Sequence, residues 1–437
     1  MRIFRIAASV LLILAILCMS AACTGAIEKK VSAESTADDA EDSRTVLRLI
    51  SSWGGVDSKA ETLKDILSQF EKNNPEITVA NESVYGEDFL TKLKTDFASG
   101  NDPDVFGLWP GSDINALVKA GKVADLTDLL SEDLEWKRSF NPDMWDYTTM
   151  NARIYGLPLE VIFECMFVNK DLFEKYNIPI PKDYSDLKYA VIKFQEHGID
   201  PIAFNTYSEG TYLYQNLVAI IGGKNDTEYP FENGKVKQCY ITALQYVKDL
   251  YDMGAFPKEC LTMTSNERNV LFQQKKAAMI MQGSWFIGNF AADDDTVDII
   301  PVPYMKNIKG SEGTMVYGLG GGSFHMSTEA EKDPVRKEAS VKLLKHLTSP
   351  AAAAKLASET GMISNVNIDS YNIQYRSLTV KGKRMLEEAK QLVGPADSFV
   401  DRTSWEDDIA GQLVYFLLGK TSAETVWENA IRNGIIP

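Results

Sequence analysis

Between residues 46 and 108 the chain alternates strand-like and helix-like runs at a spacing that leaves few folds open. Val46-Leu47-Arg48-Leu49-Ile50 reads as a strand, and Ala60, Leu63, Ile66, Leu67 and Phe70 then recur at the period of one helix face. Ser58 with Glu61 predicts a capping box, and Asn73-Asn74-Pro75 is a stop signal. A strand at 77–79, an amphipathic helix through Phe89, Leu90, Leu93 and Phe97, and a strand at 104–108 follow. Strands and helices alternating in this way build βαβ units around a mostly parallel sheet, so the predicted class is α/β.

The pattern resumes after residue 160. Strands are predicted at 161–168 and 277–281, and helices at 185–196, 236–252 and 283–291. Residues 314–326 are strand-like and rich in glycine, and from 334 onward helices dominate, at 336–347, 351–359, 382–392 and 403–418. No internal repeat of solenoid length is present.

The N-terminus is an address. Arg2 and Arg5 precede an apolar run from Ile6 to Leu17 and then small residues, the plan of an export signal over residues 1–22. The run is shorter than the roughly 20 residues a membrane-spanning helix needs. Ser20-Ala21-Ala22-Cys23 resembles a lipobox, with Ser20 where leucine is usual, which implies a diacylglycerol on Cys23. Residues 24–44 are rich in Ala, Ser, Glu and Asp and hold no aromatic side chain, so they cannot bury enough apolar surface to fold. Residues 23–44 therefore read as a lipid-anchored, disordered tether.

Charge and composition narrow the function. A formal net charge of -16 argues against a nucleic-acid partner and against a basic membrane-binding patch. Past Cys23 only Cys165, Cys239 and Cys260 remain, which is no disulfide framework, although a bridge between Cys239 and Cys260 is possible. Cys165 lies in an apolar run and reads as a buried small hydrophobe. The three histidines, His197, His325 and His346, are not at metal-ligand spacing, so neither a metal site nor a cofactor is expected.

Several segments in order carry a family resemblance: 70–77 (Phe-Glu-Lys-Asn-Asn-Pro-Glu-Ile), Asp102-Pro103-Asp104-Val105-Phe106, Gly156-Leu157-Pro158, and 167–173 (Phe-Val-Asn-Lys-Asp-Leu-Phe). Gln282-Gly283-Ser284-Trp285, Gly318-Leu319-Gly320-Gly321-Gly322 and Leu347-Thr348-Ser349-Pro350 complete the set. Together they resemble the family 1 extracellular solute-binding proteins. The resemblance implies a two-lobed, periplasmic-binding-protein-like fold with an interlobe cleft and a multi-segment hinge. It also implies a monomer that hands a small solute, above all a sugar, to the permease of an ABC importer. Carried over, one lobe holds residues 45–160 and 303–327 and the other 161–302 and 328–437, with crossings near Pro158, Pro301 and Ser327.

A sugar offers apolar C–H faces and a rim of hydroxyls, so its site needs flat aromatic surfaces with planar acceptors at their edges. Trp53, Trp109 and Trp285 are each predicted just after a strand, where open α/β sheets collect ligands. Tyr85 and Trp405 are further aromatic candidates, whereas Trp136, Trp145 and Trp427 read as core. Asp104, Glu160 and Asn205 are candidate hydroxyl partners. Gly320, within the 318–322 run, allows close backbone approach to a ligand or a crossing segment, since no phosphate-loop spacing is present.

Two rivals remain. A glycosidase would use Asp104 and Glu160 as paired carboxylates within about 10 Å. The same fold could instead hold a polyamine or another small solute such as iron, a phosphate ester or a peptide. A polyamine would suit an acidic, aromatic site, iron would need tyrosine or histidine ligands that the sequence does not place, and phosphate esters are disfavoured because no arginine falls in the predicted site.

Overall fold

The computed structural model describes residues 44–436. The export segment, Cys23 and residues 24–43 of the tether lie outside the described residues.

Two sheets organise the body. The first orders its strands Ile77–Asn81, Thr45–Ile50, Val105–Gly107, Ser323–Met326 and Leu157–Pro158. Its first three strands are parallel, and Ser323–Met326 runs antiparallel to both neighbours. Helix Ala60–Asn73 turns Leu63, Ile66, Leu67 and Phe70 onto this sheet, the face that the sequence period predicts. The capping box expected at Ser58 and Glu61 does not form: the helix follows Lys59 with no side-chain cap, and Ser58 Oγ donates instead to the carbonyl of Trp285 at 3.2 Å.

The second sheet is built on Glu160–Asn169, all ten residues of which are buried. Met166 and Val168 enter one core while Phe163, Cys165 and Phe167 enter another, as a strand covered on both faces requires. Ala277–Gly283, Val297–Ile300 and Thr314–Leu319 pair with it antiparallel. Asp200–Ala203 and Gln391–Val393 extend the sheet as parallel outer strands. The helical segment Tyr212–Glu228 breaks at Gly223, and its first part, buried over residues 213–220, packs into the larger core and escapes a search for amphipathic period. The helix expected at 283–291 is a short 3-10 helix, Ser284–Asn289.

The crossings between the sheets explain the glycine run. The chain leaves the first sheet at Pro158 and enters the second at Glu160; it returns from Leu319 to Ser323 through Gly320, Gly321 and Gly322. The two passages lie side by side, with Leu159 N donating to Gly322 O at 3.2 Å and Gly320 N to Glu160 O at 3.0 Å. Pro301 is no crossing, because Val302 and Met305 share a core with Val168. Thr314–Leu319 therefore belongs with the second sheet. The helices Pro334–Leu347 and Pro350–Thr360 also sit otherwise than expected, packing on the core of the first sheet through Leu343, Leu347 and Leu356. Cys165, Cys239 and Cys260 are buried free thiols, so the Cys239–Cys260 bridge is absent. Among the described residues no helix is long and apolar enough to cross a membrane.

Candidate functional site

A cleft of about 590 Å³ lies where the two sheets meet, within the range that holds small organic ligands. Trp53 follows the strand Thr45–Ile50, Trp109 follows Val105–Gly107, and Trp285 follows Ala277–Gly283, each at a carboxyl end. Glu160, Ile162 and Glu164 reach the cleft from alternate positions of one strand, as its two-residue period dictates.

The aromatic members differ in exposure. Trp285 is half-buried, stands edge-on to Tyr212 with ring centroids 5.6 Å apart, and lies over Gly283, which has no Cβ to obstruct it. Trp53 is 2% exposed and packs edge-on against Phe324 at 5.4 Å, so it closes the cleft wall rather than offering a whole face. Trp109 packs edge-on against Phe89, and the Arg402 guanidinium sits 5.9 Å from its ring. Tyr85 donates its hydroxyl to Glu209 Oε1 at 3.3 Å.

Charges in the cleft are mutually held. Lys59 Nζ lies 3.0 Å from Glu160 Oε1, both nearly free of solvent, and Gly322 N donates to Glu160 Oε2 at 3.1 Å. Burial works against the Lys59 charge, but Glu160 and Asp57 outweigh it and hold its pKa above the ordinary value. Gly320 must be glycine here, since a Cβ would stand 2.4 Å from Glu160 Oε2. Glu164 accepts from Asn216, yet burial first and the charge of Asp397 second push its pKa up to about 8. Arg402 is claimed by Asp397 and, at 2.9 Å, by Glu406.

Six of the nine expected site residues therefore come together: Trp53, Tyr85, Trp109, Glu160, Trp285 and Gly320. Three do not. Asp104 precedes its strand and so stands at the amino end, away from the cleft, where it accepts from Arg336 Nε and from the Arg48 amide, each at 2.7 Å. Asn205 is fully buried and ties its own loop, donating to Tyr207 O at 2.9 Å. Trp405 is fully buried, stacked on Tyr214 at 5.6 Å and edge-on to Trp427. Trp136 and Trp427 lie in cores as expected, and Trp145 packs beside one.

Sequence reasoning missed Lys59, Glu164, Glu209, Tyr212 and Arg402. Glu164 left a signal: a lone carboxylate inside an apolar strand, in phase with Glu160. Glu209, Tyr212 and Arg402 left none, because only the tertiary fold brings them together. Arg402 also corrects the expectation of a site without arginine, though its two carboxylate partners already use its charge. With Asp104 paired elsewhere, the Asp104–Glu160 carboxylate pair considered for hydrolysis is not in the cleft.

Comparison with known proteins agrees with this geometry. Relatives include an uncharacterised ABC transporter extracellular-binding protein from Pyrococcus horikoshii, 24% identical over 264 residues that cover 57% of this chain and 59% of the relative. The matched region thus spans less than two thirds of that relative's length. A multiple sugar-binding protein from Streptococcus mutans is 25% identical over 307 residues, 67% of this chain and 69% of the relative. A solved structure from work on xylan utilization by Caldanaerobius polysaccharolyticus shares the fold, with a TM-score of 0.78 at 22% identity over 89% of this chain and 99% of the other. The family model of the bacterial extracellular solute-binding proteins matches residues 56–354. With two lobes, a cleft between them and a match over most of its length, the chain belongs to the bacterial extracellular solute-binding protein family.

Proposed function

We propose that the chain captures a carbohydrate, a mono- or oligosaccharide, in this cleft and delivers it to the membrane permease of an ABC importer. The observation that carries the reading is the pose of Trp285, an indole half open to the cleft beside buried carboxylates. An aromatic face covers sugar C–H groups, and acidic side chains such as Glu164 and Glu406 exchange hydrogen bonds with hydroxyls at the rim. The sugar-binding relative supports the same class of ligand. Binding without bond cleavage is part of the proposal, as is attachment to the outer face of the membrane through a lipid on Cys23, with the body working as a monomer.

A second reading has its own observation. Eight acidic side chains, Asp57 and Asp397 among them, line the cleft against Lys59, Lys94 and Arg402, a balance that suits a polyamine. A thermal-shift panel of neutral mono- and oligosaccharides beside putrescine and spermidine separates the two, because a ligand that binds only the native state raises its melting temperature. Stabilisation by one or more saccharides is expected. Stabilisation by the polyamines alone would replace the carbohydrate reading.

A further inference from the structure

The cleft is spanned by a hydrogen bond that neither sugar contact nor core packing requires. Tyr85 belongs to the loop between strand Ile77–Asn81 and helix Glu87–Ser99, on the side of the first sheet. Glu209 belongs to the turn Ser208–Thr211 after strand Asp200–Ala203, on the side of the second. Tyr85 donates to Glu209 Oε1 at 3.3 Å, and Asn269 Nδ2 approaches the same hydroxyl at 3.4 Å.

Glu209 is unusually well held on its own side. Its Oε2 accepts from Arg268 at 2.8 Å, Gln282 at 2.7 Å and Asn269 at 3.3 Å. Arg268 and Gln282 are fully buried, and Arg268 supplies the countercharge. One carboxylate oxygen is therefore saturated and fixed, while the other is left to a partner from across the cleft. Three donors, one of them a buried guanidinium, orient this acceptor before anything arrives, so a partner finds it in place. The Tyr85 hydroxyl is a donor throughout the physiological range, because burial and the neighbouring Glu209 charge both raise its pKa.

We propose that Tyr85 and Glu209 form a catch between the lobes. It draws the binding protein toward its closed form before a solute is present, and Arg268, Asn269 and Gln282 serve as the positioning residues that hold the Glu209 side of the catch. The inference rests on the capture function proposed above, in that it takes the lobes to open and close about the crossings at 158–160 and 319–323. A ligand can then complete closure with less of its own binding energy, since part of the closed population already exists.

The test contains no solute, so its outcome is independent of whether the ligand is a sugar. Spin labels on Lys72→Cys and Glu196→Cys, exposed positions on opposite lobes, report the interlobe distance in the full chain by double electron–electron resonance. The three native thiols among the described residues are buried. The unmodified cleft should show a populated short distance, and Tyr85→Phe, which keeps the ring and deletes the hydroxyl, should lower the short-to-long ratio roughly 3- to 10-fold, the worth of one modest hydrogen bond. Identical distributions with and without the hydroxyl, or a single long distance in both, would overturn the catch. A ligand-contact role for Tyr85 would weaken solute binding yet leave this ratio unmoved.

Discussion

The indole of Trp285 folds back over Gly283, so that a Cβ on that glycine would stand 2.0 Å from Cζ3 and 2.1 Å from Cη2. The backbone at Gly283 is extended, with φ at -89°, so it is the space and not the conformation that demands glycine. Gly283→Ala should therefore push the indole out of its pose. Overpacking of this kind costs about 1–3 kcal/mol of stability. Solute affinity should fall roughly 10- to 100-fold, since each 1.4 kcal/mol lost is about tenfold. Calorimetric titration and tryptophan emission on the same variant check this. Unchanged affinity with unchanged emission would mean that Gly283 does not set the pose.

Asp104 is expected to act on folding alone. Its carboxylate answers Arg336 and the Arg48 amide, far from the cleft. Arg336 is partly exposed, which discounts the ion pair, so Asp104→Ala should cost about 1–3 kcal/mol. Chemical unfolding should shift to lower denaturant, while titration of the folded variant should give the parent affinity. A variant that folds normally but binds poorly would return Asp104 to the site.

Asp104, Trp405 and Gly320 mark how far the sequence could be read. The α/β class and most element positions were legible because strands and helices print their periods locally, as in Leu63, Ile66, Leu67 and Phe70. Trp285 and Trp53 were legible because they follow strands. Asp104, read as a hydroxyl partner, stands instead at the strand's amino end, and Trp405, read as a further aromatic candidate, turns into the core. Glycines 320, 321 and 322 pointed to a crossing but not to its partners: Glu160, Ser52 and Trp53 fill the space that side chains there would occupy. Residues from distant segments, Glu209 and Arg402 above all, become a site only through packing that no local pattern records.

Glu164 gives the molecule a pH signature. Its pKa rises from an ordinary 4.5 to about 8, through burial and then Asp397. Between those values the folded chain keeps a proton that the unfolded chain releases, so this group lowers stability as pH climbs through the window, with its full cost above pH 8. Glu164→Gln mimics the protonated form and should remove that slope. Urea unfolding from pH 5 to pH 9 should show the variant gaining on the parent as pH rises. Parallel profiles would mean that Glu164 titrates normally.

The anchor proposed at Cys23 predicts a change of location without a change of affinity. Cys23→Ser should move the protein from the membrane fraction to the surrounding fluid while solute binding persists. Retention in the membrane at the parent level would count against a lipid at that position.

The capture of a carbohydrate against Trp285 is tested most directly by titrating the most stabilising saccharide of the thermal-shift panel into the parent and into Trp285→Ala. Burying an indole face against sugar C–H groups contributes roughly 1.5 to 3 kcal/mol from area and about 1 more from ring geometry. The variant should therefore stay folded and bind roughly 10- to 1,000-fold more weakly. A folded Trp285→Ala protein with the parent's affinity, or a parent that binds no saccharide at all, would contradict the account.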